Sequence, residues 1–369
     1  MKVEQLSWTP YRIPFRRPYA TSHGSEAERC GFLVRLTTNT GRVGLGEAAP
    51  VAGSGARVRK DVATLLETAT LRLKGQPPEA ADDALGNVDH LHPVAVAAAR
   101  CAVHTAVCDA LSQAAGTPVA RWLAGQAAET VPVNATIALP DAASAAEAAA
   151  QAQSQGFTCV KLKVGMAESV EAERERVAAV QNAIGERLKL RLDANGAWDE
   201  TTAVATLRAL EGYDLEFVEQ PVACGNLPMM RRVRQAVNTP IAADEDVTSP
   251  EQAARLLRAG AAQILVIKPM VVGGLRLARE IISTAQSYGA DCVVTTSIDT
   301  GIGIAAALHL AATLPPPAPA CGLATSDLLA TDLLASPLPV RGGHMRLPDA
   351  PGLGVLLDEE ALTRCSRMS

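Results

Sequence analysis

Five consecutive apolar runs in the middle of the chain end on a charged residue. Lys161 and Lys163 close the first, Asp193, Glu219 and Asp244 the next three, and Lys268 the fifth. Three carboxylates delivered to one place repel one another unless a cation neutralises them. An all-oxygen donor set suits a hard divalent ion, Mg²⁺ or in its place Mn²⁺, with positions left for water and substrate oxygens. Lys161 and Lys163 stand two apart on a strand and so point the same way. Their mutual repulsion, with a divalent cation nearby, is expected to lower the pKa of either, giving a general base near neutral pH. Lys268 arrives from the other side. A cation between two lysines suits removal of a proton α to a carboxylate, with the enediolate stabilised by the cation and the proton taken by a lysine.

Such a cluster needs elements that converge. From Val131 onward, β-branched runs alternate with amphipathic helical stretches: Val131–Ala138, Cys159–Val164, Leu188–Asp193, Leu215–Glu219, Ile241–Asp244, Ile264–Lys268, Cys292–Thr296 and, more weakly, Ala320–Ala324. That alternation predicts a parallel sheet, and about eight βα units in series predict closure into a barrel whose strand ends share one mouth. An open doubly wound sheet is the alternative. No strand-to-helix junction carries Gly-x-Gly-x-x-Gly: Gly301-Ile-Gly303 lacks the third glycine and Gly44-Leu-Gly46 sits in a hairpin, so dinucleotide binding is weakly supported. Ahead of the barrel, Cys30–Leu36 and Arg42–Ala48 read as a strand pair around the turn Thr38–Gly41, and Val94–Leu111 as an Ala-rich helix. Asp109 and His104 on that helix read as interior or interface groups, and Trp198 as packing. The Glu171–Arg176 charge run reads as a solvated helix face. The last thirty residues, with Pro337, Pro339, Pro348 and Pro351, read as an irregular return segment.

Composition excludes several classes. In 369 residues, 48% are apolar and only 11 are aromatic, which supports a large core and gives no stacking platform for single-stranded nucleic acid. The net charge of −5, without a basic run, points away from nucleic acid and from an anionic membrane as partners. Residues 1–20 interrupt every apolar stretch with charge, so no signal-peptide core is read there and a cytoplasmic protein is expected. The eight cysteines are scattered singly and read as buried free thiols, and the six histidines show no metal-ligand spacing.

Lys161-Leu-Lys163, Asp193-Ala-Asn195-Gly-Ala-Trp198, Glu219-Gln-Pro221, Ala243-Asp244-Glu245 and Ile267-Lys268-Pro269, with Gly44-Leu-Gly46-Glu47-Ala-Ala-Pro50 upstream, resemble the enolase superfamily, muconate-lactonizing enzyme subgroup. The resemblance spans essentially the whole chain. It implies an N-terminal α+β capping domain (1–128), a modified (β/α)7β TIM-type barrel (129–335) and a C-terminal segment (336–369) returning to the cap. It further implies Asp193, Glu219 and Asp244 as Mg²⁺ ligands, Lys163 as base, Lys268 as the opposing lysine, Lys161 as the neighbour that tunes the base, and Asn195 and Glu245 as polar groups beside them. A small-molecule carboxylate substrate and a homo-oligomer are expected on the same ground.

Pro14-Phe-Arg-Arg-Pro18 with Thr21-Ser22, Val131-Pro-Val-Asn134-Ala-Thr136, and Cys321-Gly322-Leu323-Ala-Thr325 followed by Asp332 look most like o-succinylbenzoate synthases. That resemblance implies a dehydration in menaquinone biosynthesis. The expected substrate contacts are Thr21, Ser22 and Ser54 in the capping loops, Asn134 and Thr136 on the first barrel strand, Ser297 and Asp299 after the seventh, and Gly322 and Leu323 on the eighth. Asp299, read as an exposed acid in the pocket, keeps a dipeptide epimerase open, whereas the eighth strand lacks the Asp-x-Asp such epimerases use. N-succinylamino acid racemization, muconate cycloisomerization and a catalytically silent relative are the other readings.

Overall fold

A computed structural model describes residues 1–21 and 24–367. The chain opens with an antiparallel meander of β1 (Val3–Thr21), β2 (Gly24–Thr38) and β3 (Val43–Ala48), covered by the helices α1 (Gly55–Leu73) and α2 (Pro93–Ala114) and followed by the short α3 (Val119–Ala124). β2 and β3 form the hairpin read from the sequence. β1 went unread because Pro10, Pro14 and Pro18 interrupt its alternation, yet Tyr11, Ile13 and Phe15 all face the core. Proline is tolerated on an edge strand, where one N–H row needs no partner, and β1 lies at the edge of its sheet.

α2 lies hard against β3. A Cβ at Gly44 or Gly46 would come within 1.9 Å of the Ala106 or Ala102 carbonyl oxygen, so both glycines serve packing. α2 is also the one helix among the described residues long and apolar enough to cross a membrane, and 78% of that window is buried inside this domain. On it, Asp109 accepts from the Leu45 and Leu353 backbone N–H groups, and His104 meets Asp82 at 3.0 Å, so both are interior or interface groups.

The second part alternates strand and helix: β4 (Thr130–Pro132), β5 (Ala135–Ile137), α4 (Ala142–Ser154), β6 (Cys159–Lys163), α5 (Val170–Ile184), β7 (Lys189–Asp193), α6 (Glu200–Ala209), β8 (Leu215–Glu219), α7 (Leu227–Ala236), β9 (Ile241–Ala243), α8 (Pro250–Arg258), β10 (Ile264–Ile267), α9 (Pro269–Val272), α10 (Leu275–Ser287), β11 (Asp291–Val294) and α11 (Gly301–Ala311). Five of the helices start on a side-chain cap, with Asp141, Ser169, Asp199, Asn226 and Ser249 each accepting a backbone N–H three residues on. The strands β5 to β11 pair in parallel in chain order. Cys321 bridges Val133 and Gly322 bridges Thr295, which joins the two edges and closes the curled sheet. The weakly read eighth run is therefore a pair of bridges. The first run is split: β4 pairs antiparallel with β13 (His344–Arg346), while β5 enters the barrel.

Alternation inside the barrel is visible on β10. Ile264 and Val266 join Phe217, Ala242 and Val293 in an inner cluster, while Leu265 and Ile267 pack outward against the helices. Beyond the barrel, β12 (Val340–Arg341) turns through Gly342 and Gly343 into β13, and α12 (Glu359–Ser366) ends the described chain against β1. The segment read as irregular thus carries a hairpin and a helix. Glu359 of α12 pairs with Arg35 of β2 at 2.6 Å.

Candidate active site

Strand register brings the charged residues into one row. Lys163 on β6 faces Asp193 on β7, and Asp193 faces Glu219 on β8. Glu219 lies level with Ala242 on β9, and Asp244 follows two residues later. β10, which delivers Lys268, is the fourth strand from β6 along the sheet, so the two lysines oppose each other across the closed barrel. Lys161 Nζ lies 2.9 Å from Asp193 Oδ2 and 3.3 Å from Glu219 Oε1. Lys163 Nζ is 2.7 Å from both Asp193 Oδ2 and Asn195 Oδ1, and Lys268 Nζ is 2.5 Å from Asp244 Oδ2. The side chains of Lys163 and Lys268 keep 20% and 21% of their surface exposed against 10% for Lys161, so these two reach the mouth while Lys161 lies beneath.

The electrostatics follow from three lysines meeting three carboxylates. Asp193 is fully buried, which would raise its pKa, yet Lys161 and Lys163 hold it well below the usual carboxylate range. Glu219 is pushed up to about 8 by burial and then by the charge of Asp193, which Lys161 only partly offsets. Burial works to lower the pKa of Lys161 and of Lys268, but their carboxylate neighbours win and raise both. With carboxylates as the nearest charges of Lys161, the ammonium form is favoured; the expected depression belongs to the site with its cation.

Around this row stands a layer of polar groups. Asn195, in the left-handed region at φ 45°, accepts from Lys163 and donates to Glu245 Oε1 at 2.9 Å. Burial and the charge of Asp244 raise the Glu245 pKa. Gln220, at φ 39° and fully buried, accepts from the Asp244 N–H at 3.0 Å and donates to Asp246 at 2.8 Å. Side chains rarely adopt this conformation, at a cost on the order of 1–3 kcal/mol each, and it clusters where function needs it. Sequence reasoning gave Gln220 no role, although it stands inside the Glu219-Gln-Pro221 motif.

Two further sets were missed or misread. Glu173 and Arg176, read as part of a solvated face, are buried and paired at 3.0 Å at the back of β6, because the first turns of α5 lie on the barrel wall. At the junction with the capping domain, buried Glu47 accepts from Tyr11 Oη, from the N–H and hydroxyl of Thr300 at 3.0 and 2.7 Å, and from the Gly303 N–H at 2.8 Å. A Cβ at Gly303 would meet Glu47 Oε2 at 2.8 Å, so this glycine admits the Glu47 carboxylate to the start of α11. Arg29, also buried, donates to the carbonyls of Ile298, Pro50 and Ala49.

The expected substrate contacts scatter. Ser22 and the side chain of Thr21 lie outside the described residues. Ser54 precedes α1, half-buried, with its hydroxyl turned to the Val51 carbonyl at 2.5 Å. Asn134 is buried and donates to Thr136 Oγ1 at 3.2 Å. Ser297 Oγ is buried without a hydrogen-bond partner. Asp299 is corrected: only 2% of it is exposed, and it faces Arg29 at 3.7 Å inside the domain junction. Burial and then Glu47 push its pKa up to about 7. The left-handed Ile298 before it, at φ 60°, turns this segment toward Arg29. Gly322 leaves room for Thr295, whose hydroxyl donates to its carbonyl at 2.9 Å, and Leu323 belongs to the core. Trp198 packs in that core too, and of the eight free cysteines Cys224 is exposed and Cys30 half-buried, against the expectation that all are buried.

Residues 143–361 match the model of the enolase C-terminal domain-like family, and residues 6–124 that of the mandelate racemase / muconate lactonizing enzyme N-terminal domain. The chain belongs to the enolase superfamily. This superfamily member is 30% identical to the L-Ala-D/L-Glu epimerase of Bacillus subtilis (strain 168), over 96% of this chain and 97% of that protein. It is 43% identical to the o-succinylbenzoate synthase of Thermobifida fusca (strain YX), a match spanning 58% of this chain and 66% of the synthase. Its fold superposes on the crystal structure of the dipeptide epimerase from Enterococcus faecalis V583, complexed with Mg and the dipeptide L-Leu-L-Tyr, at a TM-score of 0.87 and 29% identity, covering 96% and 99% of the two chains. The chain is thus an enzyme by family.

The donor chemistry of the superfamily member suits a hard divalent cation. Asp193, Glu219 and Asp244 offer only carboxylate oxygens, the donor set that a hard divalent cation takes. Among the described residues no group of three His, Cys, Asp or Glu side chains is gathered closely enough to hold a metal, and the three carboxylates are paired with lysines instead.

Proposed function

We propose that this chain removes the proton α to a carboxylate with Lys163 as base, and that its reaction is the dehydration that forms o-succinylbenzoate. The observation that carries the reading is Lys163 and Lys268 on opposed strands with Asp193, Glu219 and Asp244 between them. Those three carboxylates would hold Mg²⁺. When bound, the cation supplies positive charge against the negative charge that develops on the substrate carboxylate.

The neutral amine of Lys163 takes the α-proton of the cyclohexadiene carboxylate, and the electron pair enters the enediolate. Lys268, as an ammonium, offsets that charge from the opposite face, and Asn195 holds the Lys163 tip between steps. The electron pair then expels the β-hydroxyl, which leaves as water with the proton returned by Lys163, and the ring becomes aromatic. Two observations support dehydration over reactions of a free amino terminus. Asp299 is withdrawn into the domain junction, and the Gly322-Leu323 segment presents no carboxylate for a substrate ammonium. The 43% identity with a synthase supports it as well.

A second reading is racemization of an N-succinylamino acid or epimerization of a dipeptide. The opposed lysines favour it, since one could take the proton and the other return it on the far face, as does the end-to-end match with an epimerase. Muconate cycloisomerization stands third. The purified protein, given Mg²⁺ and the cyclohexadiene precursor of o-succinylbenzoate, is expected to consume the diene absorbance rapidly and to stop when a chelator is added. An inert precursor, with racemization of acylamino acids or dipeptides in the same buffer, would remove the dehydration reading.

A further inference from the structure

The contacts at the tip of Lys163 steer the end of a flexible side chain, while its backbone is gripped from behind the barrel wall. Arg176 Nη2 donates to the Lys163 carbonyl. Glu173 Oε2 accepts the Gly165 N–H at 2.7 Å. Arg176 Nη1 and Glu173 Oε1 stand 3.0 Å apart, so the two side chains form one bridge whose ends straddle Val164. Val164 is itself tied by its N–H to the Asp193 carbonyl at 2.9 Å. Gly165 has no slack, since at φ +86° a Cβ there would meet Ala197 Cβ at 2.6 Å.

This bridge is an uneconomical way to stabilise a helix. Both side chains are only 3% exposed, Arg176 Nε has no hydrogen-bond partner, and Nη1 and Glu173 Oε1 meet as charges without a hydrogen bond between them. A buried ion pair of this kind is often no better than apolar residues of the same volume. What it fixes is the direction in which β6 leaves the barrel at the residue carrying the base. Lys268 sits on the opposed strand and lies outside its reach.

We propose that the Glu173–Arg176 pair is a positioning device that aims Lys163, and Lys163 alone, at the substrate. The inference rests on Lys163 being the base on one face of the substrate. A misplacement of about 1 Å in such a group costs on the order of 100-fold in rate, so the effect of loosening the pair is one-sided.

The test uses the full chain with Mg²⁺ in deuterated water and the two enantiomers of N-succinylphenylalanine as probes. The variants are Glu173→Gln with Arg176→Met, which leaves no unpaired buried charge, and Arg176→Lys, which keeps the charge but loses the fork. In the double variant, α-deuterium exchange from one enantiomer is expected to fall about 100-fold, while exchange from the other stays within about threefold and KM holds for both. Arg176→Lys should fall between wild type and the double variant. A merely structural role lowers both enantiomers together, which overturns the proposal.

Lys163→Ala identifies the affected enantiomer and separates the two claims. If Lys163→Ala leaves exchange intact, the base assignment fails and this inference with it. Should Lys163→Ala silence one enantiomer while the double variant spares it, only the positioning proposal fails. For an enzyme that exchanges neither enantiomer, a crystal structure of the double variant decides. Lys163 Nζ leaving its 2.7 Å contact with Asn195 Oδ1 supports the proposal, and an unchanged contact overturns it.

Discussion

Charge at the end of a barrel strand is readable in sequence because the strand ends where its apolar run ends, and register then does the rest. Lys163, Asp193 and Glu219 meet in this way, one per strand, without any residue between them having to be known. What charge alone does not report is burial. Asp299 and the Glu173–Arg176 pair carry the same residue types as any solvated surface, and only the packing of the capping domain on Ile298 and of α5 on β6 encloses them. At this scale the proposed cation site makes a direct prediction. Asp244→Asn removes one anionic oxygen donor while keeping its shape, and is expected to weaken Mg²⁺ affinity at least about tenfold in a calorimetric titration. An unchanged titration would show that Asp244 is no ligand and that its contact with Lys268 is only an ion pair.

Elements were legible where one pattern served one environment. The alternating barrel strands and their capped helices follow from local sequence, whereas β1 was hidden by its prolines and Val131–Ala138 by its division between two sheets. The C-terminal hairpin and α12 were hidden similarly, since their partners β4 and β1 are far away in sequence. One buried histidine ties two helices to the C-terminal segment. His309 on α11 accepts from the Ala120 N–H of α3 at 3.1 Å and reaches the Leu353 carbonyl at 3.0 Å, so Nε2 carries the proton. Burial pushes its pKa down to about 4, against about 6.5 in the unfolded chain. The fold binds the neutral ring, so this stabilisation is complete above about pH 6.5 and is lost as pH falls from there through about 4, on the order of 3 kcal/mol in all. His309→Gln should flatten that part of a Tm-against-pH curve. A variant curve as steep as wild type between those values would assign the acid sensitivity elsewhere.

At the scale of the molecule, the capping domain and the barrel are joined by polar groups buried between them. Arg29 donates across the junction to Ile298 on the barrel side and to Ala49 and Pro50 on the capping side, and Glu47 gathers Tyr11 of the cap with Thr300 and Gly303 of the barrel. On the capping side, Arg29 thus fixes the end of the chain that leaves β3 at Ala49 and Pro50, just before the turn in which the Ser54 hydroxyl donates to the Val51 carbonyl. Arg29→Met is expected to cost about 3–5 kcal/mol, because three carbonyls and Asp299 lose their buried partner. The loss is read as a lowered Tm, and a variant with wild-type Tm would show the junction to be passive.

The proposed reaction depends on one proton. Its most direct measurement follows the α-hydrogen by NMR in deuterated water, with Mg²⁺, for wild type and Lys163→Ala on the cyclohexadiene precursor, an N-succinylamino acid and a dipeptide. The prediction is that wild type removes the α-proton from at least one of the three, that a chelator stops it, and that Lys163→Ala lowers the Lys163-face reaction by roughly 10²–10⁴. Proton loss that persists in the chelator, Lys163-face loss that persists in Lys163→Ala, or no loss from any of the three would contradict it.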